Sequence, residues 1–301
     1  MSRSLPRALR VGLPSSLLLA GACGFGTINI SGISMREEDK AVREEDHPLQ
    51  LSPSDVLTLQ GANEGVEVVA SDKEPPSLHV TFTARGRNRA ESEKILERYH
   101  VSVEKSAQGV DVDSMGEPFE IAEEGMTIKI GAGIAYRATV PKGTALVARS
   151  SSGRVRVAGP VGRSDLETGY GSVSVRQVDG DLRVRSSSGS IEVARVQGKL
   201  EARSGYGSIG LADVAGPSVE AESSSGNLRL ERVKAERVEA RTGYGRVDLE
   251  HVEGKVEATS SSGAIDVEDS AGPLSLQSGY GSIEVDRAAN GVRASTSSGH
   301  V

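Results

Sequence analysis

The chain from residue 150 onward reads Ser150-Ser-Ser-Gly153, Thr168-Gly-Tyr-Gly171, Ser186-Ser-Ser-Gly189, Ser204-Gly-Tyr-Gly207, and the alternation continues to the last residues. The closing glycines, Gly153, Gly171, Gly189, Gly207, Gly226, Gly245, Gly263, Gly281 and Gly299, are 18, 18, 18, 19, 19, 18, 18 and 18 residues apart. So short a period, held so often, marks a stacked solenoid, in which each repeat buries its apolar face only against its neighbours.

Between the turns the pattern has period two. Val173 and Val175 alternate with Ser172 and Ser174, Val178 follows, Gly180 turns the chain, and Leu182 and Val184 alternate with Arg183 and Arg185. Each turn therefore supplies two half-buried strands. The inward places recur as Ile191/Val193, Ile209/Leu211, Leu228/Leu230, Val247/Leu249, Ile265/Val267 and Ile283/Val285, and on the second strand from Leu182/Val184 to Val292/Ala294. These columns predict an all-β chain whose residues 141–301 form a parallel β-helix with 18–19-residue rungs. At about 4.8 Å per rung the eight glycine intervals give a rod roughly 38 Å long. The two 19-residue turns around Gly226 and Gly245 each absorb one extra residue. Outward places such as Arg183, Glu201, Glu220, Glu239 and Glu257 read as a solvated wall of mixed charge.

Composition agrees with a narrow core: 36 Gly, 3 Phe and no Trp leave Val, Ile, Leu and Ala to fill it. A net charge of −7 speaks against nucleic acid as a partner. At the N-terminus, Arg3, Arg7 and Arg10 precede a short apolar run, Val11 to Leu19, and then Ala20-Gly21-Ala22-Cys23. This predicts a secretory signal over residues 1–22, too short to span a bilayer. The small residues before the single cysteine resemble the lipobox of bacterial lipoproteins, with Ala20 where Leu is more usual, and the resemblance implies lipidation at Cys23. Loss of residues 1–22 removes three arginines and no acid, taking the formal charge from −7 to −10. Residues 23–47 read as a charged tether carrying Arg36-Glu-Glu-Asp39 and Arg43-Glu-Glu-Asp46. Residues 48–140 read as an irregular β-rich layer, with one short amphipathic helix over 88–100 around Ile95, Leu96 and Tyr99.

Catalytic chemistry finds little support. His47, His79, His100, His251 and His300 are scattered, with no metal-ligand spacing among them, and no Gly-x-Ser-x-Gly elbow occurs. The Gly-rich turns lack the aspartates of calcium-binding nonapeptide repeats. Rungs this short leave no room for the long loops that carry the sites of β-helical polysaccharide lyases, and Asp266 and Glu268 read as solvated surface. A regular ice-binding hydroxyl lattice would be broken by Tyr at every second rung. No catalytic residue, metal ligand or cofactor is therefore expected.

The remaining candidates are Tyr170, Tyr206, Tyr244 and Tyr280, which alternate with Ser152, Ser188, Ser225, Ser262 and Ser298. Two readings stand. Large-small alternation fills a narrow interior, which makes the rings corner packing and is the reading preferred here. Alternatively, the rings form an exposed ladder, about 9.6 Å apart, on which sugars stack.

Val140-Pro-Lys-Gly143, leading through Leu146 to Ser150-Ser-Ser-Gly153 and the alternating Gly-Tyr-Gly turns, resembles the bacterial β-strand-repeat family of candidate adhesins over residues 50–301. The resemblance implies a right-handed parallel β-helix and an adhesive or envelope role, and it carries no binding residues with it. The expected function is that of a non-enzymatic, lipid-anchored extracytoplasmic solenoid in the bacterial cell envelope, at the outer membrane or cell surface, that binds a glycan, matrix or envelope protein. Two alternatives are a carbohydrate-active enzyme whose carboxylates converge in the 48–140 layer, and a spacer that self-associates at an open rung edge near Gly299-His300-Val301.

Overall fold

The computed structural model of this chain describes residues 16–19, 28–30, 33–123 and 126–301. Its body is a parallel β-solenoid preceded by an irregular β-rich segment with one α-helix, the architecture that the repeat predicts. Successive rungs stack in register. Val155, Val173, Ile191, Ile209, Leu228, Val247, Ile265 and Ile283 are consecutive partners, and so are Leu166, Val184, Ala202, Ala221, Ala240, Ala258 and Leu276. All are buried. A third column, Val161, Val178, Val196, Val214, Val233 and Val252, closes the interior. Burial of each Val, Leu or Ile is worth about 1.5–3 kcal/mol, against about 0–1 for an exposed ion pair, so the columns and not the charged walls hold the rod together. On the last rung Val292 is 45% exposed and Val285 and Ala294 are half-buried, because among the described residues Val292–Thr296 pairs on one edge only, with Leu274–Ser278, and Ile283–Ala288 on one edge only, with Ile265–Ser270.

The two extra residues lie away from the glycines. Val196 to Leu200 is four residues, whereas Val214 to Val219 and Val233 to Val238 are five, and Val252 to Val256 is four again. Each insertion therefore sits at the second corner, around Gly216-Pro217 and Ala235-Glu236. Strand pairing continues through the bend there, in the long strands Ile209–Ser223 and Leu228–Thr242, as it also does in Val247–Ser260, which has no extra residue.

The solenoid begins earlier than the repeat motif. Val56–Ala62 lies parallel beneath Ala145–Ser150, and Gly65–Ala70 beneath Arg154–Val161. Below these, Gly109–Gly116 pairs with the first and Gly133–Val140 with the second, again in parallel. The nominally irregular layer thus contributes two further rungs built from non-consecutive pieces. Tyr99–Lys105 and Ser77–Arg85 pair antiparallel on their outer edges. The predicted helix is shorter than 88–100. It runs Arg89–Leu96, with Asn88 Oδ1 accepting from Glu91 N–H at its N-cap, and Tyr99 already begins a strand.

The charged tether is a correction. Ile28–Ile30 and Ile33–Met35 form a hairpin, and Lys40–Pro48 is a nine-residue edge strand antiparallel to Ser77–Arg85. Charge did not keep it in solvent because its charges have partners. Arg43 donates to the carbonyl of Leu96 at the helix C-terminus and to that of Tyr99 at the start of the next strand, and lies over the Phe82 ring, while Asp46 meets His79 and Glu37 meets Arg85. A cation there also satisfies the negative end of the helix. Ser16–Leu19 lies parallel to Met126–Ile130, which pairs with Phe119–Glu123. The predicted signal arginines Arg3, Arg7 and Arg10, and Cys23 with its expected lipidation, lie outside the described residues. No described helix is long and apolar enough to cross a membrane.

Candidate functional site

The corner that joins each second strand to the next rung is built by the first residue of the tetrapeptide. Ser204 is buried; its Oγ accepts from Gly207 N–H at 2.9 Å within the turn and donates to the Gly189 carbonyl of the rung below at 3.0 Å. Thr168, Ser186, Ser223, Thr242, Ser260 and Ser278 repeat both bonds. One buried hydroxyl per rung therefore closes a turn and ties it to its neighbour, which leaves no buried polar atom orphaned at the corner. The closing glycine is obligatory for a different reason: a Cβ on Gly207 would lie 2.1 Å from the Gly189 carbonyl oxygen, and one on Gly245 2.0 Å from that of Gly226. The glycines stack directly on one another.

The same tight stacking explains the Gly-Tyr dipeptide. A Cβ on Gly169, Gly205, Gly243 or Gly279 would come within 2.1–2.3 Å of the carbonyl of Ser151, Ser187, Ser224 or Ser261 below it. With that side chain removed, the next residue carries a ring outward. Tyr170, Tyr206, Tyr244 and Tyr280 are 75, 73, 74 and 72% exposed. The corner-packing reading is therefore overturned: the rings are not core, and the interior beside them is filled by the Val, Ile, Leu and Ala columns. The turn itself is the reason. It breaks the strand alternation after the buried Ser204, so Tyr206 does not follow it inward.

Four like-placed rings thus rise from one corner, two rungs apart, with Ser188, Ser225 and Ser262 exposed between them. The corner tetrapeptides hold no charge. The column after the closing glycine is mostly neutral as well: Ser172, Ser190, Ser208, Asn227, Ala264 and Ser282. Its exceptions are Arg154, which donates to Ser172 Oγ, Arg246, which pairs with Asp248 and Asp266, and His300 on the last rung. On the other flank charges pair with each other, as in Arg149–Glu167 and Arg203–Glu222. An aromatic file on an uncharged hydroxyl-bearing ground can stack flat apolar faces and hydrogen-bond at their edges.

Other candidates are not brought together. Among the described residues no group of three or more His, Cys, Asp or Glu could hold a metal ion. His79 meets Asp46, His47 meets Glu45 and His251 meets Asp269. Asp266 and Glu268 face outward onto Arg246 and Arg287. In the second-strand wall, Glu201 is 7% exposed and is held by Arg183, Arg185 and Arg203 at 3.2–3.5 Å. Burial pushes its carboxyl up, but the three guanidinium groups outweigh burial and hold it below the usual carboxylate range.

Two features escaped the sequence. Gln177, Arg195, Asp213, Arg232, His251, Asp269 and Arg287 form a file of non-glycine residues with φ of 52–72°, one per rung. Each takes up the odd residue that lets Val178 and its equivalents fall inward again. Charge alternation along part of this file was the available signal, and it pairs Asp213 with Arg232 and Asp269 with Arg287. The second is a hollow of about 530 Å3 at the base of the rod, lined among others by Glu44, Glu64, Glu67, His79, Arg137 and Arg154. Burial raises the Glu64 carboxyl pKa there, and Glu67 pairs with Arg137.

The whole stacked region, residues 55–301, matches the family model described as Toastrack DUF4097. The chain belongs to the Toastrack DUF4097 family. The match covers the two extra rungs at the base as well as the Ser/Tyr repeat, and it bears out the expected membership of the β-strand-repeat candidate adhesins. Solved structures that align over most of this chain share little of its sequence. A candidate lipid-binding protein from Parabacteroides distasonis ATCC 8503 is 16% identical, aligns over 88% of this chain and 98% of its own, and has a TM-score of 0.44. A candidate adhesin from the same organism is 10% identical over 87% and 97%, with a TM-score of 0.45. One from Parabacteroides merdae ATCC 43184 is 10% identical over 86% and 96%, with a TM-score of 0.43. No curated protein matches this Toastrack chain.

Proposed function

We propose that this Toastrack protein is a non-enzymatic, lipid-anchored solenoid of the cell envelope that binds a glycan along its tyrosine corner. One observation carries the reading: four tyrosines, each 72–75% exposed, stand in a single file on corner tetrapeptides that hold no charge. Exposed aromatic surface costs solvation and contributes nothing to the core, and aligned patches of this kind mark binding surfaces. The lipobox-like Ala20-Gly21-Ala22-Cys23 supports the anchor, which would leave the rod displayed at the membrane surface. Binding to a glycan array by the intact chain, lost in Tyr206→Ala/Tyr244→Ala while the thermal melt is unchanged, is the expected result. Equal binding by both proteins removes the corner from the account. For the anchor, Cys23→Ser should abolish incorporation of labelled fatty acid, and unchanged labelling excludes it.

The hollow at Glu44, Glu64 and Glu67 favours a second reading, a carbohydrate-active enzyme. Cleavage of a polysaccharide that stops in Glu64→Gln would establish it.

A further inference from the structure

The reading of the corner as a glycan site can be taken further, to a class of glycan, because the file has a fixed step. Tyrosines recur every second rung, about 9.6 Å, and the rung between presents Ser in place of Tyr. A polymer that uses all four rings must repeat its stacking face at that interval and run along the rod axis. A β-1,4-linked pyranose chain does this. Its equatorial linkages keep it extended, each sugar is turned over relative to the last, and so one face recurs every second residue. Its disaccharide repeat is slightly longer than two rungs, a mismatch small enough to keep register over the three intervals between Tyr170 and Tyr280.

We propose that the corner takes an extended, uncharged β-1,4-linked glycan lying along the rod, one disaccharide per tyrosine. On each Tyr rung the ring would cover the apolar face of one sugar. On each Ser rung the inverted sugar would meet hydroxyls instead, from Ser188, Ser225 or Ser262. α-1,4-Linked chains coil and β-1,3-linked chains curve, so neither returns a face to four collinear rings. Neutrality follows from the ground on which the rings stand: the corner tetrapeptides carry neither a cation for an acidic sugar nor a carboxylate for an amino sugar. The buried hydroxyl ladder and the stacked glycines fix the rings' spacing before any ligand arrives, so little ordering cost falls on binding.

The test is a length series. The full chain is titrated by isothermal titration calorimetry with β-1,4-linked N-acetylglucosamine oligomers from di- to octasaccharide, beside α-1,4-linked and β-1,3-linked glucose oligomers. Affinity for the β-1,4 series should climb in steps of two sugars, roughly three- to tenfold per added disaccharide, and level off at the octasaccharide, where all four rings are used. Tyr206→Ala/Tyr244→Ala should flatten the series without altering the melt, since the rings support no core. If α-1,4 and β-1,3 oligomers bind as well, or affinity rises without steps while still depending on the tyrosines, the corner is a glycan site but the proposed register is wrong. If no oligomer binds, or the tyrosines do not matter, the glycan reading itself falls. If the chain instead forms a dimer that the double variant dissociates, the rings of one rod seat in the Ser rungs of another, and both are overturned.

Discussion

Replacing Ser204 by alanine tests whether the buried hydroxyl ladder, and not merely the turn sequence, holds adjacent rungs together. The substitution removes the acceptor of Gly207 N–H and the donor to the Gly189 carbonyl, at 2.9 and 3.0 Å, at a residue that is buried. Two buried groups are left without partners at a net cost of about 0.5–1.5 kcal/mol for each bond, so the loss should be about 1–3 kcal/mol. Ser188 supplies the control: it lies on the same corner but is exposed, and Ser188→Ala should fall within about 0.5 kcal/mol of the parent. Ser204→Thr should be tolerated, because Thr168 and Thr242 make the same two bonds. Urea denaturation followed by far-ultraviolet circular dichroism reads the difference as a shift of midpoint at constant slope. Equal midpoints for Ser204→Ala and Ser188→Ala would refute the reasoning, since they would mean that the ladder contributes nothing beyond turn propensity.

Three further outcomes follow from the same geometry. Gly207→Ala places a methyl 2.1 Å from the Gly189 carbonyl oxygen, where only backbone could move, and should lower stability by about 3 kcal/mol or fail to fold in the same denaturation assay. Glu201→Gln should cost about 1–2 kcal/mol at neutral pH. The Glu201 carboxyl pKa is depressed in the folded state, so its contribution is full above the unfolded carboxylate range and lost as pH falls through the lower folded value; the variant's acid stability limb should be correspondingly flatter. Arg43→Ala should destabilise the base of the rod by about 1–3 kcal/mol, because the Leu96 and Tyr99 carbonyls lose their donor; hydrogen exchange should localise the loss to Lys40–Pro48 and Arg89–Leu96, and an unchanged pattern would return the segment to the status of a tether.

The rod was legible in the sequence because its repeat leaves two independent marks, the period-two apolar columns and the Ser/Thr-x-x-Gly corner. Where either mark is missing, the reading stops short. Val56–Ala62 and Gly65–Ala70 form a full rung, but Ala62 stands where the corner hydroxyl would be, with Asn63 beside it bonding Ala132 O and Ile134 N–H, and the partner strands lie some ninety residues away in the chain. Lys40–Pro48 looked solvated because it buries only one small apolar side chain, Ala41, and its other inward contacts are made by a guanidinium, Arg43. The tyrosines were misplaced because the alternation of Tyr with Ser from rung to rung reads as a way to fill a narrow interior, whereas the tight turn, closed by the Gly207 N–H to Ser204 Oγ bond, carries Tyr206 outward. The bulge before Val178 and its equivalents carries Gln, Arg, Asp and His in a left-handed conformation that favours glycine, so composition concealed it.

The central claim is that the tyrosine corner binds and the core does not need it. The most direct measurement is the affinity of the intact chain for a β-1,4-linked octasaccharide beside that of Tyr206→Ala/Tyr244→Ala, with the melting curves of both recorded. Superimposed melts with binding reduced at least tenfold are predicted. A double variant that melts early, or that binds as tightly as the parent, would contradict it.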